Sequence, residues 1–328
     1  MVRPRVFVTR EMDRDALDAI AAHAEMAVWP EDSPPSPEQL REALRGMDGV
    51  LTNIMDRVDG AALEEAPGLK VVSQLAVGVD NIDVAEMTRR GIPVGHTPGV
   101  LSKATADVAF ALLMAVARRV VESDRWVRRG SWRMAFHPNY WLGADVSDST
   151  LGIVGMGKIG MEMAKRARGF DMKVLYHSRT RKPGEEERLG VEYAAMDRLL
   201  EESDFVSLHV PLTEETHHLI GEAELRRMRS SAILVNTARG PVVDGRALHR
   251  ALEEGWIAGA GLDVTDPEPI AEDDPLLSMD GVVVTPHVGS ASRGSRRAMC
   301  MLAARNLLAG IRGERLVHCC NPEVYDGV

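Results

Sequence analysis

Three polar residues in the second half of the chain carry complementary chemistry: Arg239 in "NTARG", Glu268 in "TDPEP" and His287 in "TPHVGS". Singly, each is ordinary. A loop arginine is usually solvated, "DPEPIAEDDP" reads as an acidic surface loop, and a histidine after a strand is often a cap. As a set they meet the demands of one reaction. Adding a hydride to the carbonyl of a 2-oxo acid needs a fixed cation to hold the carboxylate and polarise the carbonyl, and an acid to protonate the developing alkoxide. Arg239 suits the first role because a guanidinium stays charged and binds in a planar fork. His287 suits the second because imidazole changes charge near neutral pH. Glu268 is the carboxylate that would orient the ring and stabilise its protonated form.

A hydride needs a carrier, and "LGIVGMGKIG" offers its seat. Gly155, Gly157 and Gly160 have G-x-G-x-x-G spacing directly after an apolar strand and at the head of a helical run opened by Lys158 and Ile159. The glycines permit a tight turn, backbone approach to a pyrophosphate and close helix-sheet packing, and the helix N-terminus presents unpaired N–H groups. A carboxylate at the end of the next strand would accept hydrogen bonds from the ribose and repel a 2′-phosphate. "VLYHSRTRKPG" has none there. Ser178, Arg179 and Thr180, followed by Arg181 and Lys182, supply short donors and forked cations instead, chemistry that suits a phosphate. NADP(H) is therefore favoured over NAD(H), against the alternative of a solvated basic loop.

The elements that must position these residues follow from alternation. The first hundred residues interleave β-branched runs ("RVFVT", "EMAVW", "GVLTN", "LKVVSQL", "IPVGHT") with helical ones, the pattern of parallel strands joined by helical crossovers. A second series follows an Ala-rich helix placed at Lys103 to Val121, with six strands that end at Gly155, Ser178 with Arg179, His209, Asn236 to Arg239, Asp263 and His287. Open parallel sheets bind ligands beyond such carboxyl ends. A closing helical run, Ser295 to Ile311, could cross back to the first domain. Pro30 to Pro37 reads as a surface loop, His217 and His218 as part of an exposed helix, Asp80 and Asp83 as helix caps, and Leu51 and Met55 as core or substrate-facing residues.

Composition narrows the function. The chain of 328 residues has room for two cores, and its net charge of -10 argues against nonspecific nucleic-acid binding. Three bunched cysteines are no disulfide framework, which fits a reducing, cytoplasmic setting. The N-terminus lacks a signal-peptide apolar region, and the apolar run Val108 to Ala117 is about half the ~20 residues that span a bilayer. "HCC" (His318 to Cys320) has no matching ligand cluster, so no metal is expected.

The chain resembles the D-isomer-specific 2-hydroxyacid dehydrogenase family nearly end to end, through "QLAVGVDNID", "HTPGVLSKATADVAFALLMAVARR", "GSW", "LGIVGMGKIG", "HVPLTEETHHLI", "AILVNTARGPVVDGRAL", "AGAGLDVTDPEP" and "VVVTPHVGSAS". The resemblance implies Arg239, Glu268 and His287 as substrate anchor, histidine partner and acid/base. It implies that the N–H groups of Val77 and Gly78 bind the substrate carboxylate, and that Thr105, His209, Pro211, Thr237, Ala238 and Asp263 lie along the cofactor. The implied fold is α/β: a Rossmann-type doubly wound coenzyme domain (101–288) inserted into a smaller flavodoxin-like substrate-binding domain (1–100 and 289–328), with a cleft between them and a homodimer formed through the coenzyme domain. The segment Arg128 to Val146 belongs to the implied dimer arm. There, Trp141 is either an interfacial anchor or a residue that reaches a neighbouring active site.

Within the family, "HSRTRK" is similar to the ribose-phosphate loop of NADPH-linked glyoxylate and hydroxypyruvate reductases, which makes reduction of those small 2-oxo acids the leading expectation. D-3-phosphoglycerate dehydrogenase, or another D-2-hydroxyacid dehydrogenase, is the alternative inside the family, the former being the runner-up. It usually goes with NAD, and its common long forms carry a further regulatory domain. A nucleotide-binding corepressor is the alternative outside enzymology, although such proteins carry long tails that this chain lacks. His96 departs from the asparagine more usual at its position, near the hinge, and reads as a polar structural residue.

Overall fold

In a computed structural model, which describes residues 3–326, the chain divides into two compact units, Met1–Leu101 with Ala291–Val328, and Ser102–Ser290. The first contains β1 (Arg5–Val8), α1 (Arg14–Ala21), β2 (Glu25–Val28), α2 (Pro37–Leu44), β3 (Gly49–Thr52), α3 (Gly60–Glu65), β4 (Val71–Gln74), α4 (Val84–Arg89) and β5 (Val94–Gly95). These strands form one parallel sheet in the order β2-β1-β3-β4-β5. Its central strands β3 and β4 are buried at every position, as expected of a parallel sheet covered on both faces. Leu51 is part of that core, whereas Met55 in the following loop is exposed. The proline-rich loop ends in a capping box: Ser36 accepts from Gln39 N while Gln39 Oε1 accepts from Ser36 N, with Pro37 opening α2. Asp83 caps α4 through Glu86 N, while Asp80 lies in the preceding turn.

The C-terminal helix, Arg293–Ile311, packs on β3 and β4. A Cβ on Gly310 would stand 2.4 Å from Val71, so only glycine lets the helix approach this closely. Beyond it, His318 to Asn321 run along β5: Gly95 pairs with Cys319, Cys320 N donates to Val94 O, and Asn321 bonds both Val94 N and Ile92 O. Asn306, wholly buried in the helix, donates to His96 O at 3.0 Å and accepts from His318 N at 3.1 Å. Asn306→Ala removes both bonds from a buried place and should lower the unfolding free energy by about 1–3 kcal/mol. Urea denaturation measures this, and a loss below about 0.5 kcal/mol would be within ordinary surface variation and against the assignment.

The second unit contains α5 (Ser102–Ala117), α6 (Val120–Arg128), β6 (Thr150–Val154), α7 (Lys158–Ala167), β7 (Lys173–His177), α8 (Pro183–Leu189), β8 (Glu192–Tyr193), α9 (Met196–Glu202), β9 (Phe205–Leu208), α10 (Glu222–Arg227), β10 (Ile233–Asn236), α11 (Gly245–Glu253), β11 (Gly259–Leu262) and β12 (Val282–Val284). Its sheet is parallel, in the order β12-β11-β10-β9-β6-β7-β8. The strands number seven rather than the expected six, because β8 has two residues and is too short to show alternation. The helix expected to run to Val121 stops at Ala117: Ala144 N donates to Ala117 O, and Arg119 adopts a left-handed φ of 52° that turns the chain into α6. His217 and His218 lie in a turn rather than a helix, with rings stacked 4.0 Å apart. Among the described residues no helix is long and apolar enough to cross a membrane, and no group of three His, Cys, Asp or Glu could hold a metal ion.

Candidate active site

The carboxyl edge of the larger sheet carries, in spatial order, Ser178 after β7, Gly155 after β6, His209 after β9, Thr237 to Arg239 after β10, Asp263 after β11 and His287 after β12. The strand order reverses between β6 and β9, which is where an open α/β sheet leaves a crevice for a ligand. Gly155 has φ +101°, and a Cβ there would meet His209 O at 2.6 Å. A Cβ on Gly160 would meet Gly155 O at 2.2 Å, which locks the turn against α7. Above Gly157, the N-terminal cap of α7, nothing lies within 4 Å of an added Cβ.

That open cradle at the head of a ten-residue helix suits a pyrophosphate. Two buried polar atoms beside it, Thr237 Oγ1 and His209 Nδ1, have no hydrogen-bond partner among the described residues. Thr105, Asp263 and Gly289 meet nearby, since a Cβ on Gly289 would touch both other side chains. Lys158 and Pro211 are exposed, Ile159 is partly covered and Ala238 is buried. The donor set therefore fits a dinucleotide.

The basic loop after β7 is more differentiated than its sequence suggests. Arg181 forms a forked pair with Glu186 (Nε–Oε1 2.9 Å, Nη2–Oε2 2.8 Å), and the Tyr176 hydroxyl also donates to Glu186. Arg181, with help from Tyr176, holds the Glu186 carboxyl at about 2. Arg181 is thus committed within its own chain. Arg179 and Thr180 are exposed, and Ser178 Oγ donates to Thr180 O at 2.9 Å, which fixes the turn that presents them.

At the other end of the edge, His287 Nδ1 lies 2.5 Å from Glu268 Oε1. Glu268 sits between two cis X–Pro bonds, Asp266–Pro267 and Glu268–Pro269. His287 takes a left-handed φ of 51°, and Asp263 holds the loop in that shape: its Oδ1 accepts from Thr285 Oγ1 and Val288 N, its Oδ2 from Gly289 N, and its carbonyl from His287 N. Asn236 does the same for the arginine loop, accepting from Ala238 N and donating to Arg239 O. Arg239 Nη1 donates to Ala238 O at 2.8 Å, which steadies the guanidinium. These clamp roles of Asp263 and Asn236 were not evident from the sequence beyond their positions at strand ends. Val77 and Gly78 lie in the smaller unit, in the loop after β4, with Val77 36% exposed.

Comparison with known proteins gives the family of the chain. Residues 110–289 match the family described as D-isomer specific 2-hydroxyacid dehydrogenase, NAD binding domain. The chain is 55% identical over 323 residues to a glyoxylate reductase of Korarchaeum cryptofilum, covering 98% of this chain and 97% of that protein. It is 50% identical over 326 residues to a glyoxylate reductase of Thermococcus litoralis, with 98% of each covered. Among solved structures, a Thermus thermophilus protein superposes with TM-score 0.91 at 46% identity, covering 96% of this chain and 99% of that one. The NADPH-dependent glyoxylate/hydroxypyruvate reductase of Sinorhizobium meliloti, solved with NADP and malonate, does so with TM-score 0.86 at 31% identity, covering 97% and 96%. The chain belongs to the D-isomer-specific 2-hydroxyacid dehydrogenase family, and with it to the NAD(P)-dependent dehydrogenases.

Burial depresses the His209 imidazole from its ordinary 6.5 to about 4. Its Nε2 meets Ser207 Oγ at 2.9 Å. Between those two pH values the unfolded chain binds a proton that the folded chain refuses, so stability is lost as pH falls from 6.5 towards 4. His209→Gln should flatten that acid limb in urea melts taken across this window. Coincident slopes for the two proteins would refute the assignment.

Proposed function

We propose that the protein reduces glyoxylate, with hydroxypyruvate as a second substrate, using NADPH in preference to NADH, as a cytoplasmic homodimer. What carries this reading is the 2.5 Å contact between Glu268 and His287, in a chain 55% identical, nearly end to end, to a relative named glyoxylate reductase. A bound reduced nicotinamide supplies the hydride for the substrate carbonyl carbon. Arg239 holds the carboxylate and polarises the carbonyl, its attraction for the carbonyl oxygen strengthening as the alkoxide develops. His287 donates its Nε2 proton to that oxygen, while its Nδ1–H stays on the ring and donates to Glu268, whose carboxylate balances the charge of the protonated ring. In the smaller unit, the substrate-binding one in this reading, the N–H groups of Val77 and Gly78 take the carboxylate. Thr105, Thr237, Ala238, His209, Pro211 and Asp263 line the cofactor, with its phosphates on Gly155 to Gly160.

The NADPH preference is supported by Ser178 and Arg179 at the site where a ribose carboxylate would stand. It is supported also by the Sinorhizobium relative, which is described as NADPH-dependent. The homodimer is supported by the segment between α6 and β6, which exposes Trp132, Met134, Phe136, Tyr140 and Leu142, an apolar display typical of an interface. Trp141 anchors its base through Trp126 at 5.6 Å and the Arg119 guanidinium at 5.1 Å.

Initial rates with NADPH and NADH against glyoxylate, hydroxypyruvate, pyruvate and 3-phosphohydroxypyruvate test the substrate reading, and no oxidation with glyoxylate would overturn it. His287→Asn should lower kcat by about 10²–10⁴-fold, the usual worth of a general acid. NADPH binding, followed by nicotinamide fluorescence, should persist, and equal loss of both would make His287 structural. Arg179→Ala should cut the NADPH-over-NADH ratio of kcat/KM by about tenfold, the loss of one charge-assisted contact. Arg181→Ala should change that ratio less, because its guanidinium is committed to Glu186. The reverse ranking of the two variants would refute the division of labour between them.

A further inference from the structure

A trans peptide is planar, with its C=O and the following N–H pointing in opposite directions. Whatever grips the carbonyl of one residue therefore aims the N–H of the next. The N–H of Val77 shares a peptide plane with Ala76 O, and the N–H of Gly78 shares one with Val77 O. Both carbonyls are gripped by neighbouring residues of a single segment. Thr97 N donates to Ala76 O at 2.8 Å, and His96 Nδ1 lies 3.0 Å from Val77 O. A carbonyl oxygen can only accept, so Nδ1 carries the proton in this contact.

The gripping segment is itself fixed. His96 N donates to His318 O, and His96 O accepts from the buried Asn306. Gly95 leaves no slack, since a Cβ there would stand 2.8 Å from Asn306 Cβ. The far end of the loop is held separately. Asn81 Nδ2 donates to Asn53 O and Asp56 O, and Asn81 Oδ1 accepts from Gln74 Nε2 at 2.7 Å. Between these two anchorages Val77 is exposed, and the orientation of the Val77–Gly78 peptide depends on His96.

We propose that His96 is a positioning residue for carboxylate recognition: with Thr97 it forms a two-point clamp on consecutive carbonyls that aims the N–H groups of Val77 and Gly78 at the substrate. The assignment rests on the reading in which those N–H groups take the carboxylate. Asparagine at the same position would present an amide N–H at nearly the same distance from the backbone as Nδ1, so the two residue types are functionally equivalent here. An acceptor of the same shape, aspartate, is not.

The test compares His96→Asn, His96→Leu and His96→Asp with the unaltered enzyme, by steady-state kinetics with NADPH and glyoxylate and by calorimetric titration of oxalate in the presence of NADPH. The Leu and Asp variants should raise both the glyoxylate KM and the oxalate Kd by about tenfold, the worth of a hydrogen bond that aims a charged contact. The Asn variant should stay within about threefold, with kcat and the NADPH KM nearly unchanged in all three, the signature of lost uniform binding. Equal behaviour of Asn and Leu, or parallel loss of kcat and NADPH affinity, would overturn the clamp. Should the Leu variant fail to fold, the isosteric Asn and Asp pair decides the matter. If the unaltered enzyme oxidises no NADPH with any 2-oxo acid, the proposed reaction falls, and the oxalate titration still decides whether His96 governs carboxylate binding.

Discussion

The placement of His287 beside Glu268 depends on one buried carboxylate. Asp263 closes β11 with 2% exposure and spends its oxygens on the backbone and side chain of the loop after β12. A carboxylate that accepts several charge-assisted hydrogen bonds in a buried place is stronger than neutral contacts would be, and it fixes a backbone that would otherwise avoid a positive φ at a residue with a Cβ. The left-handed turn at His287 is therefore imposed from below, and it is this turn that brings the ring to Glu268. Without Asp263 the histidine and glutamate would remain on neighbouring loops with no fixed distance between them.

The same logic recurs at two further places. Asn236 fastens the loop of Thr237 to Arg239 through its side-chain amide, and Asn306 fastens the segment of His96. In each case a loop beyond the sheet is held by a buried amide or acid beside it. Precision at the surface comes from polar groups that the core has desolvated and paired.

Much of this was legible in the sequence, for reasons that differ by element. The parallel strands showed themselves as apolar runs because both faces of each sheet are covered, and the glycines of the Gly155 to Gly160 turn are irreplaceable where a Cβ would strike backbone. β8 was hidden because two residues have no period. The end of α5 was hidden because its stop signal, Ala144 N, lies far along the chain from Ala117. The pairing of Arg181 with Glu186 was hidden for a related cause. Five residues apart, they meet only because Lys182 and Pro183 turn the chain into α8. Composition gave the loop its charge, and geometry decided which cation was spent inside the chain.

The smaller unit is assembled from both ends of the polypeptide, and its β3 and β4 receive the helix Arg293–Ile311 only after residues 102–290 have been made. At ~5–20 residues per second, translation of that insert takes roughly ten to forty seconds. For that interval the nascent chain holds an apolar sheet whose covering helix does not yet exist, and the inserted unit, contiguous in sequence, has time to fold first. The split architecture thus sets an order of events on the ribosome, and the clamp around His96, which needs Asn306 and His318, is among the last parts of the molecule to close.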